Sequence, residues 1–506
     1  MIHPITIDKE RIQKEVDYWR VPGMAVTLIQ EGQPDQIACF GYRDVEKQLP
    51  VTPDTLFCVA SCSKSMTAAL IACLVDEGKL DWDVPVKHYV PHFRMYDEYT
   101  DENMTLRDML SHQTGLPPHD ALWPGTATRE DLSHRMRFVK PFAGLRETGK
   151  YNNTVYALIG YVAEYVTGKS WETLMREYIF APIGMERACC LADEITTDEN
   201  HAEPYRIREG QQVKVPFWNV DLAGPAASVN ASPKDMARWI RFHIDGGRDA
   251  SGKPIISEKP FQEMHKPNVL MPDTTPMPGE VEPCDYYCMG WRCGTYRGHA
   301  LQKHSGKIEG YSTLQVYLPD DKVGIIFQMN YHEPSTEIFY TILFNMLDEI
   351  VGHEDMHWET LFHGPEAHPE EFMYHKCDDD LTAGRMDEAL KGQAEPFAWE
   401  DMVGVYHDPG YGDVTVTIGN PETAWNGSGV SPVPCSGPQL MLHYRDQNLI
   451  LQHWGGNQYW MDDVLEDTAL FKMPVTFQAG EDGKVESVAV RYEPLIDDIC
   501  FQKNLW

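Results

Sequence analysis

The chain has 506 residues, of which 42% are hydrophobic, so it is long enough for about two or three domains with large cores. Asp and Glu outnumber Lys and Arg by 77 to 43, which leaves a net charge of −34 at pH 7. Such a charge repels nucleic-acid phosphates and anionic lipid, and the ordinary Pro and Gly content excludes a disordered chain. The composition therefore predicts a globular protein that binds neither nucleic acid nor a membrane.

The first residues lack the apolar core and cleavage site of a signal peptide, and no apolar run approaches the roughly 20 residues of a membrane span. Most of the 12 cysteines stand singly in hydrophobic runs, where buried thiols are expected rather than disulfides. The sequence thus predicts a soluble, cytoplasmic protein. Cys284, Cys288 and Cys293 are close in sequence, but they lack a fourth ligand, so no metal is expected there.

The hydrophobic pattern predicts helices and strands along about the first 350 residues. In chain order, these are a helix at 8–18, strands at 24–30 and 36–40, helices at 62–77 and 156–166, strands at 289–292, 313–318 and 323–329, and a helix at 338–351. The stretch from about residue 80 to 240 is mostly helical. Strands at both ends of a helical middle predict a mixed α/β sheet built from distant parts of the chain.

The composition changes after residue 352. Between residues 353 and 401, acidic residues outnumber basic ones by 14 to three, which is typical of a linker. From residue 402 to 506 the hydrophobic pattern has a period of two, interrupted by turns, which predicts a small antiparallel barrel or sandwich. We therefore expect a first domain at 1–352, an acidic linker at 353–401 and an all-β domain at 402–506.

The first candidate for chemistry is Ser61-Cys62-Ser63-Lys64, at the start of a predicted helix. Unpaired N–H groups and the positive end of the helix dipole favour an alkoxide on Ser61. Lys64 is one turn further along the same face, so its amine can reach the Ser61 hydroxyl and act as a base if its pKa is lowered. By itself, however, the pattern is more typical of a helix-capping serine and a solvated lysine.

A second candidate is Tyr151-Asn152-Asn153. In an extended segment, residues i and i+2 point the same way, so Tyr151 and Asn153 would enter one site together. A phenol can relay a proton, and an amide can hold both a lysine and a substrate. The alternative is a tyrosine and an asparagine that only stabilise a loop.

A third candidate is the segment His304-Ser305-Gly306-Lys307, which is typical of the start of an inner strand. We expect Gly306 to leave room for a substrate alongside the strand. The backbone N–H groups of Lys307 and Ser61 could then form an oxyanion hole. Taken alone, a His-x-Gly sequence is nearly uninformative.

In this order, the three segments resemble the serine β-lactamase and penicillin-binding-protein superfamily, and within it the class C β-lactamase, esterase and D-aminopeptidase branch. The resemblance covers about residues 10–350. It is also carried by Val21-Pro22-Gly23-Met24-Ala25-Val26, Thr55-Leu56-Phe57, Gly78-Lys79-Leu80-Asp81, Leu110-Ser111-His112-Gln113-Thr114-Gly115-Leu116-Pro117, and the segment from Gly160-Tyr161 to Thr167-Gly168. The C-terminal region resembles lipocalin-like barrels of some of these hydrolases, through Tyr406, Tyr411-Gly412 and its strand spacing.

The resemblance implies a β-lactamase/transpeptidase-like α/β (α+β) domain, with an antiparallel sheet flanked by helices and an all-helical subdomain, followed by a small all-β barrel. It implies a serine hydrolase that forms an acyl-enzyme at Ser61. Lys64 and Tyr151 would share proton transfer, and Asn153 would orient Lys64 and the substrate. The oxyanion would be bound by Ser61 and Lys307. No cofactor is expected, the partner is a small molecule or short peptide, and a homo-oligomer is left open.

Two departures from the family pattern bear on the substrate. His304 stands where the family has the lysine of Lys-Thr-Gly, so it would keep Tyr151 polarised and contact the leaving group or the polar end of the substrate. Gly224-Pro225-Ala226-Ala227 replaces a glycine pair in the pocket wall. We expect a peptidase or amidase for small or D-configured peptides, with a carboxylesterase as the second choice. A β-lactamase, or a silent scaffold with a ligand-binding barrel, are further alternatives.

A competing motif is His353-Glu354-Asp355-Met356-His357, which fits the His-Glu-x-x-His pattern of zinc proteases. That chemistry needs both histidines on one face of a helix, one turn apart. Because Gly352 is expected to end the preceding helix and the segment lies in the acidic linker, zinc catalysis is not expected.

Overall fold

The computed structural model describes residues 2–123, 126–208, 211–272, 284–332, 334–363, 386–419, 437–444, 447–462 and 472–504. The chain divides into two compact units. Residues 1–93, 98–115 and 143–370 form the first, called the sheet unit here. Residues 94–97, 116–142 and 371–506 form the second, called the barrel unit.

The helices are mostly short and follow local sequence signals. Within the described residues, the α-helices are α1 (Lys9–Tyr18), α2 (Ser63–Asp76), α3 (Val86–Tyr89), α4 (Glu98–Asn103), α5 (Leu106–Leu110), α6 (Arg129–Arg135), α7 (Asn153–Thr167), α8 (Trp171–Met175), α9 (Ala181–Ile183), α10 (Ala192–Thr196), α11 (Gly224–Ala227), α12 (Pro233–Ile244), α13 (Glu258–Met264), α14 (Ser335–Val351), α15 (Trp358–Phe362) and α16 (Trp399–Met402). Asp8 caps α1 by accepting the Arg11 N–H, and Gly168 ends α7 in the left-handed region. None of the helices described here is long and apolar enough to cross a membrane.

The strands form two main assemblies. In chain order, the described strands are β1 (Gly23–Gln30), β2 (Gln36–Asp44), β3 (Leu49–Pro50), β4 (Phe57–Cys58), β5 (Tyr205–Arg208), β6 (Gln211–Lys214), β7 (Asn230–Ala231), β8 (Val269–Leu270), β9 (Tyr286–Tyr287), β10 (Arg292–Tyr296), β11 (His299–Ile308), β12 (Tyr311–Leu318), β13 (Val323–Met329), β14 (Gly404–Asp408), β15 (Gly412–Gly419), β16 (Gln439–Tyr444), β17 (Gln447–Gly455), β18 (Gln458–Asp462), β19 (Lys472–Ala479), β20 (Val485–Val490) and β21 (Ile499–Lys503).

The sheet unit is built on an antiparallel sheet in the order β3-β2-β1-β13-β12-β11-β10-β9-β8. The N-terminal strand β1 pairs with β13, with Val26 opposite Phe327, so the sheet joins distant parts of the chain. Because side chains alternate along a strand, one face packs on α1 and α14 and the other on α12, where Ile240 lies against Gly324. The predicted antiparallel sheet with flanking helices is confirmed.

One strand was predicted in the wrong place. Residues 288–291 form a turn, in which the Cys288 N–H donates to the Trp291 carbonyl at 2.8 Å, and β10 begins only at Arg292. Gly290 has a φ of 75°, and a β-carbon there would lie 2.6 Å from the Lys64 carbonyl oxygen. The turn is therefore required by the close approach of this backbone to α2, which a hydrophobic pattern does not reveal.

In the barrel unit, β14 to β21 form a closed antiparallel barrel, in which β14 pairs with β21. The predicted small antiparallel barrel is confirmed. Large side chains fill the interior: the ring of Phe477 lies 6.4 Å from that of Tyr406 and 5.5 Å from that of Tyr459. Packing of this kind is expected of an eight-stranded barrel.

The barrel unit also contains residues 116–142, far from the barrel in sequence. The His119 Nε2–H donates to the Lys140 carbonyl at 3.1 Å, so Nδ1 accepts the hydroxyl proton of Tyr411 at 2.6 Å. The hydroxyl of Tyr444 donates to the Ala121 carbonyl at 2.9 Å. Segment 116–142 is thus part of the same packed structure as the barrel strands.

We expect acid to destabilise the barrel unit through His119. Burial lowers the pKa of His119 to about 4 from 6.5, so the unfolded chain takes up a proton first as the pH falls. Neutral His119 contributes fully to the free energy of unfolding above pH 6.5, the pKa of a free histidine. As the pH falls from 6.5 toward 4, the free energy of unfolding decreases by up to about 1.4 kcal/mol per pH unit. Urea unfolding of wild type and His119→Asn at several pH values should show a stability difference that shrinks with acidification. His407→Asn, an exposed histidine in the same unit, is the control, and a difference that is constant with pH would contradict the prediction.

Candidate active site

Ser61 lies on a single 3₁₀ turn, Ala60–Cys62, directly before α2. Ala60 has a φ of 47°, in the left-handed region that a residue with a β-carbon rarely adopts. The Ser63 hydroxyl holds the turn, because it donates to the Ala60 carbonyl at 2.6 Å and accepts the Val229 N–H at 3.0 Å. Ser61 is partly exposed between buried neighbours, so its hydroxyl is accessible at the N-terminal end of α2.

Lys64 is the second residue of α2, one turn after Ser61, and is fully buried. Its Nζ lies 3.1 Å from Ser61 Oγ, 2.7 Å from Asn153 Oδ1 and 3.1 Å from the Ala226 carbonyl oxygen. The amide and carbonyl oxygens can only accept. As an ammonium, Nζ donates to all three oxygens; after loss of one proton it would still donate to the amide and carbonyl oxygens, and its lone pair would then face the Ser61 hydroxyl, as a general base requires.

Tyr151 and Asn153 lie beside this pair. Asn153 is the first residue of α7, which starts there because the Asn152 side chain accepts the Val155 N–H at 2.8 Å. The ring of Tyr151 lies 4.5 Å from Lys64 Nζ, measured to the ring centroid. The structure therefore places Ser61, Lys64, Tyr151 and Asn153 in one cluster, although 89 residues separate Lys64 from Asn153.

His304 is buried on β11, and its hydrogen bonds define its protonation. Its Nδ1–H donates to the Ser305 carbonyl at 2.6 Å, so Nε2 accepts the hydroxyl proton of Tyr287 at 2.9 Å. Burial, together with the nearby Lys64 charge, lowers the pKa of His304 to about 3. Its ring lies 6.1 Å from that of Tyr151. The position therefore carries a neutral imidazole beside Tyr151 instead of a fixed positive charge.

Gly306 lies where β11 passes the 3₁₀ turn Ala60–Cys62, which is called the nucleophile turn here after the predicted role of Ser61. A β-carbon on Gly306 would be 2.1 Å from the Val59 carbonyl oxygen and 2.9 Å from the Ser61 backbone nitrogen. The expectation that this glycine leaves room for a substrate on that side is wrong, because the backbone of residues 59–61 fills the space. Glycine is needed here for the close approach of two backbones.

The side chains of Ser305 and Lys307 are exposed on the face of β11 opposite to His304 and Gly306. Lys307 Nζ donates to Thr336 Oγ1 of α14 at 3.1 Å. Beyond Lys303, β11 is no longer paired with β10, so its edge turns toward the nucleophile turn. A role for Lys307 in binding an oxyanion would therefore use its backbone N–H.

Several groups around the cluster were not identified from the sequence. The Ala226 carbonyl contacts Lys64 because α11 packs against α2 and α7. The sequence marked this segment only as a change in the pocket wall. Tyr287 was given no role, and His112 stood in a family motif without a role. Of these groups, only His112 could have been connected with the site from the sequence, because it lies in a family motif. A contact made by a backbone carbonyl, such as that of Ala226, does not depend on the residue type and cannot be recognised in a sequence.

The zinc-protease pattern does not form its required geometry. Residues 353–357 are not helical: α14 ends at Val351, Gly352 follows in the left-handed region, and α15 begins at Trp358. His357 itself has a φ of 52°. The two histidines are therefore not one helical turn apart on a common face, which is the arrangement that this motif needs.

Residues 10–341 match the Beta-lactamase family, which is more than half of the chain. The chain belongs to the Beta-lactamase family. The matched residues include the Ser61–Lys64 turn, Tyr151, Asn153 and β11. The resemblance of about residues 10–350 and the β-lactamase/transpeptidase-like fold are thereby confirmed.

Similar proteins of this family include hydrolases and penicillin-binding-protein homologues. Unguisins hydrolase ungD' from Aspergillus campestris (strain IBT 28561) is 26% identical over 404 residues, or 77% of this chain and 70% of that protein. The octameric penicillin-binding protein homologue from Pyrococcus abyssi is 21% identical with a TM-score of 0.60, over 98% of this chain and 100% of that one. SurE, solved with D-Leu, is 18% identical with a TM-score of 0.54, over 98% of each chain. The two structures establish the fold, whereas the family and the named hydrolase support a serine hydrolase.

Proposed function

We propose that this Beta-lactamase family protein forms an acyl-enzyme at Ser61 and hydrolyses an amide or peptide bond of a small or D-configured peptide. The observation that carries the proposal is the buried Lys64 amine, 3.1 Å from Ser61 Oγ and 2.7 Å from Asn153 Oδ1. A buried amine beside a serine hydroxyl at the end of a helix can act as the general base that activates the serine as a nucleophile.

In the acylation step, the Ser61 hydroxyl transfers its proton to Lys64, with Tyr151 beside it as a relay. Ser61 Oγ bonds to the substrate carbonyl carbon, and the oxyanion is stabilised by the backbone N–H groups of Ser61 and Lys307. The carbon–nitrogen bond then breaks. The proton held by Lys64 and Tyr151 passes to the departing amine, which leaves an ester on Ser61.

In the deacylation step, water attacks the ester carbonyl. Lys64 and Tyr151 accept a proton from the water, and the oxyanion forms again at the same N–H groups. The bond to Ser61 Oγ breaks, the proton returns to the serine, and a carboxylic acid leaves. Asn153 keeps the Lys64 amine directed toward the serine through both steps.

His304 and the relatives support the proposed substrate class. A neutral imidazole gives no fixed charge for a substrate carboxylate, which favours substrates whose corresponding end is neutral. The D-Leu in the SurE structure supports a substrate with a D-residue, and the hydrolase among the relatives supports hydrolysis. Ester hydrolysis by the same acyl-enzyme is the second candidate, because an ester has the better leaving group.

The proposal is tested with a fluorophosphonate probe and a substrate panel. The probe should label Ser61, as located by peptide mass spectrometry, and should not label Ser61→Ala. The panel contains D-amino-acid amides, dipeptides, p-nitrophenyl esters and nitrocefin, compared by kcat/KM. We expect the highest values for the D-amides or dipeptides. Turnover of esters alone would identify an esterase, and absence of labelling would show a non-catalytic scaffold.

His304→Lys should shift specificity toward substrates that carry a carboxylate. A lysine there adds a positive charge, and a partly desolvated ion pair is worth about 1–2 kcal/mol, or about tenfold in kcat/KM. The measurement is the ratio of kcat/KM for a free-acid peptide to that for its amide. His299→Lys, at the other end of β11, controls for the added charge. If the ratio is the same in wild type and His304→Lys, residue 304 does not face the substrate.

A further inference from the structure

His112 contacts the backbone on both sides of Tyr151. Its carbonyl oxygen accepts the Lys150 N–H at 2.9 Å, and its Nδ1 accepts the Asn152 N–H at 3.2 Å. His112 itself has a φ of 63°, in the left-handed region, and this conformation directs both acceptors toward the same extended segment. One residue therefore fixes the main chain immediately before and after the Tyr151 phenol.

The imidazole of His112 also packs against the phenol. Its ring lies 4.5 Å from the Tyr151 ring and 4.6 Å from the Tyr287 ring, between centroids, and the residue is 1% exposed. Because Nδ1 accepts a backbone N–H, the ring proton is on Nε2, which has no hydrogen-bond partner among the described residues. Burial holds the pKa of His112 well below its usual value. The ring is therefore a buried, neutral group packed between two tyrosine rings.

We propose that His112 is a positioning residue, which holds Tyr151 over the Lys64 amine so that the two groups can share proton transfer with Ser61. The proposal rests on the proposed function above. The centroid of the Tyr151 ring is 4.5 Å from Lys64 Nζ, and a displacement of about 1 Å in such a group can lower a rate by about 100-fold.

Two substitutions distinguish the effect of the hydrogen-bond acceptor of His112 from the effect of its side-chain size. In His112→Asn, Oδ1 takes the place of Nδ1, and asparagine tolerates the left-handed region. In His112→Gln, the acceptor lies one bond further away. Because Gln also tolerates the left-handed region less well than Asn, thermal unfolding of each variant measures the structural part of its effect.

The test measures kcat and KM for p-nitrophenyl acetate and thermal unfolding of each variant. We expect His112→Gln to lower kcat by about 100-fold with KM within about threefold of wild type. The kcat of His112→Asn should be at least about tenfold higher than that of His112→Gln. In the Tyr151→Phe background, His112→Gln should cause little further loss, because the phenol that it positions is already gone. If His112→Gln does not fold, His112→Ala replaces it, with the same expected loss.

Three outcomes would overturn the positioning role: equal losses in His112→Asn and His112→Gln, a rise in KM alone, or losses that multiply with Tyr151→Phe. Fluorophosphonate labelling of wild-type Ser61 separates the two proposals. Without labelling, both are wrong. If Ser61 is labelled and His112→Gln keeps the wild-type rate, only the positioning role is wrong.

Discussion

Ser61→Ala and Lys64→Ala should each lower kcat by on the order of 10³ or more, and the double variant should be little worse than either. The reason is that Lys64 Nζ lies 3.1 Å from Ser61 Oγ, so in the proposed mechanism the two groups share one proton transfer. Once the nucleophile is absent, the base has nothing to activate. The same non-additivity is expected when the base is removed first.

The measurement is a double-mutant cycle on kcat for the best substrate of the panel, with burst kinetics to separate acylation from turnover. Lys79→Ala, an exposed lysine just after α2, is the control for loss of a positive charge. Since Lys64 is buried, Lys64→Met, of similar length and without charge, keeps the fold testable if Ala destabilises the helix. Losses that multiply in the double variant would show that the two residues act independently.

Gly306→Ala should lower the rate of acylation by about 100-fold or more, because the added methyl group collides with the nucleophile turn. Its β-carbon would lie 2.1 Å from the Val59 carbonyl oxygen, 2.9 Å from the Ser61 nitrogen and 3.1 Å from the Ala60 β-carbon. Two of these are backbone atoms, and Ala60 already has a φ of 47°. The contact can be relieved only by moving the strand or the turn that carries Ser61.

The rate of fluorophosphonate labelling and the burst with an ester measure this effect, and thermal unfolding measures the cost in stability. Gly419→Ala is a matched control in a strand of the barrel unit, where a β-carbon would meet, among the described residues, only Met441 Sδ at 3.4 Å. The control should keep its labelling rate. Labelling of Gly306→Ala at the wild-type rate would mean that the strand is not held against the turn in solution.

Features that depend on residues close together in the sequence could be predicted from the sequence. Ser61 and Lys64 are three positions apart, and helix geometry alone places them on one face. Period-two alternation indicated a small antiparallel barrel or sandwich after residue 402, because each of its strands has one face inside and one outside, and the structure shows that the barrel is closed. The helix ending at Gly352 was likewise marked by a residue that adopts the left-handed region.

Only the tertiary structure decided which distant groups meet. Packing of α11 against α2 brings the Ala226 carbonyl to Lys64, and burial together with the nearby Lys64 charge keeps His304 neutral. The approach of β11 to the nucleophile turn explains why residue 306 is a glycine. Segment 116–142 belongs with the barrel through contacts between residues 292 positions apart. Such contacts depend on how complete elements pack in three dimensions, and neither periodicity nor local propensity carries that information.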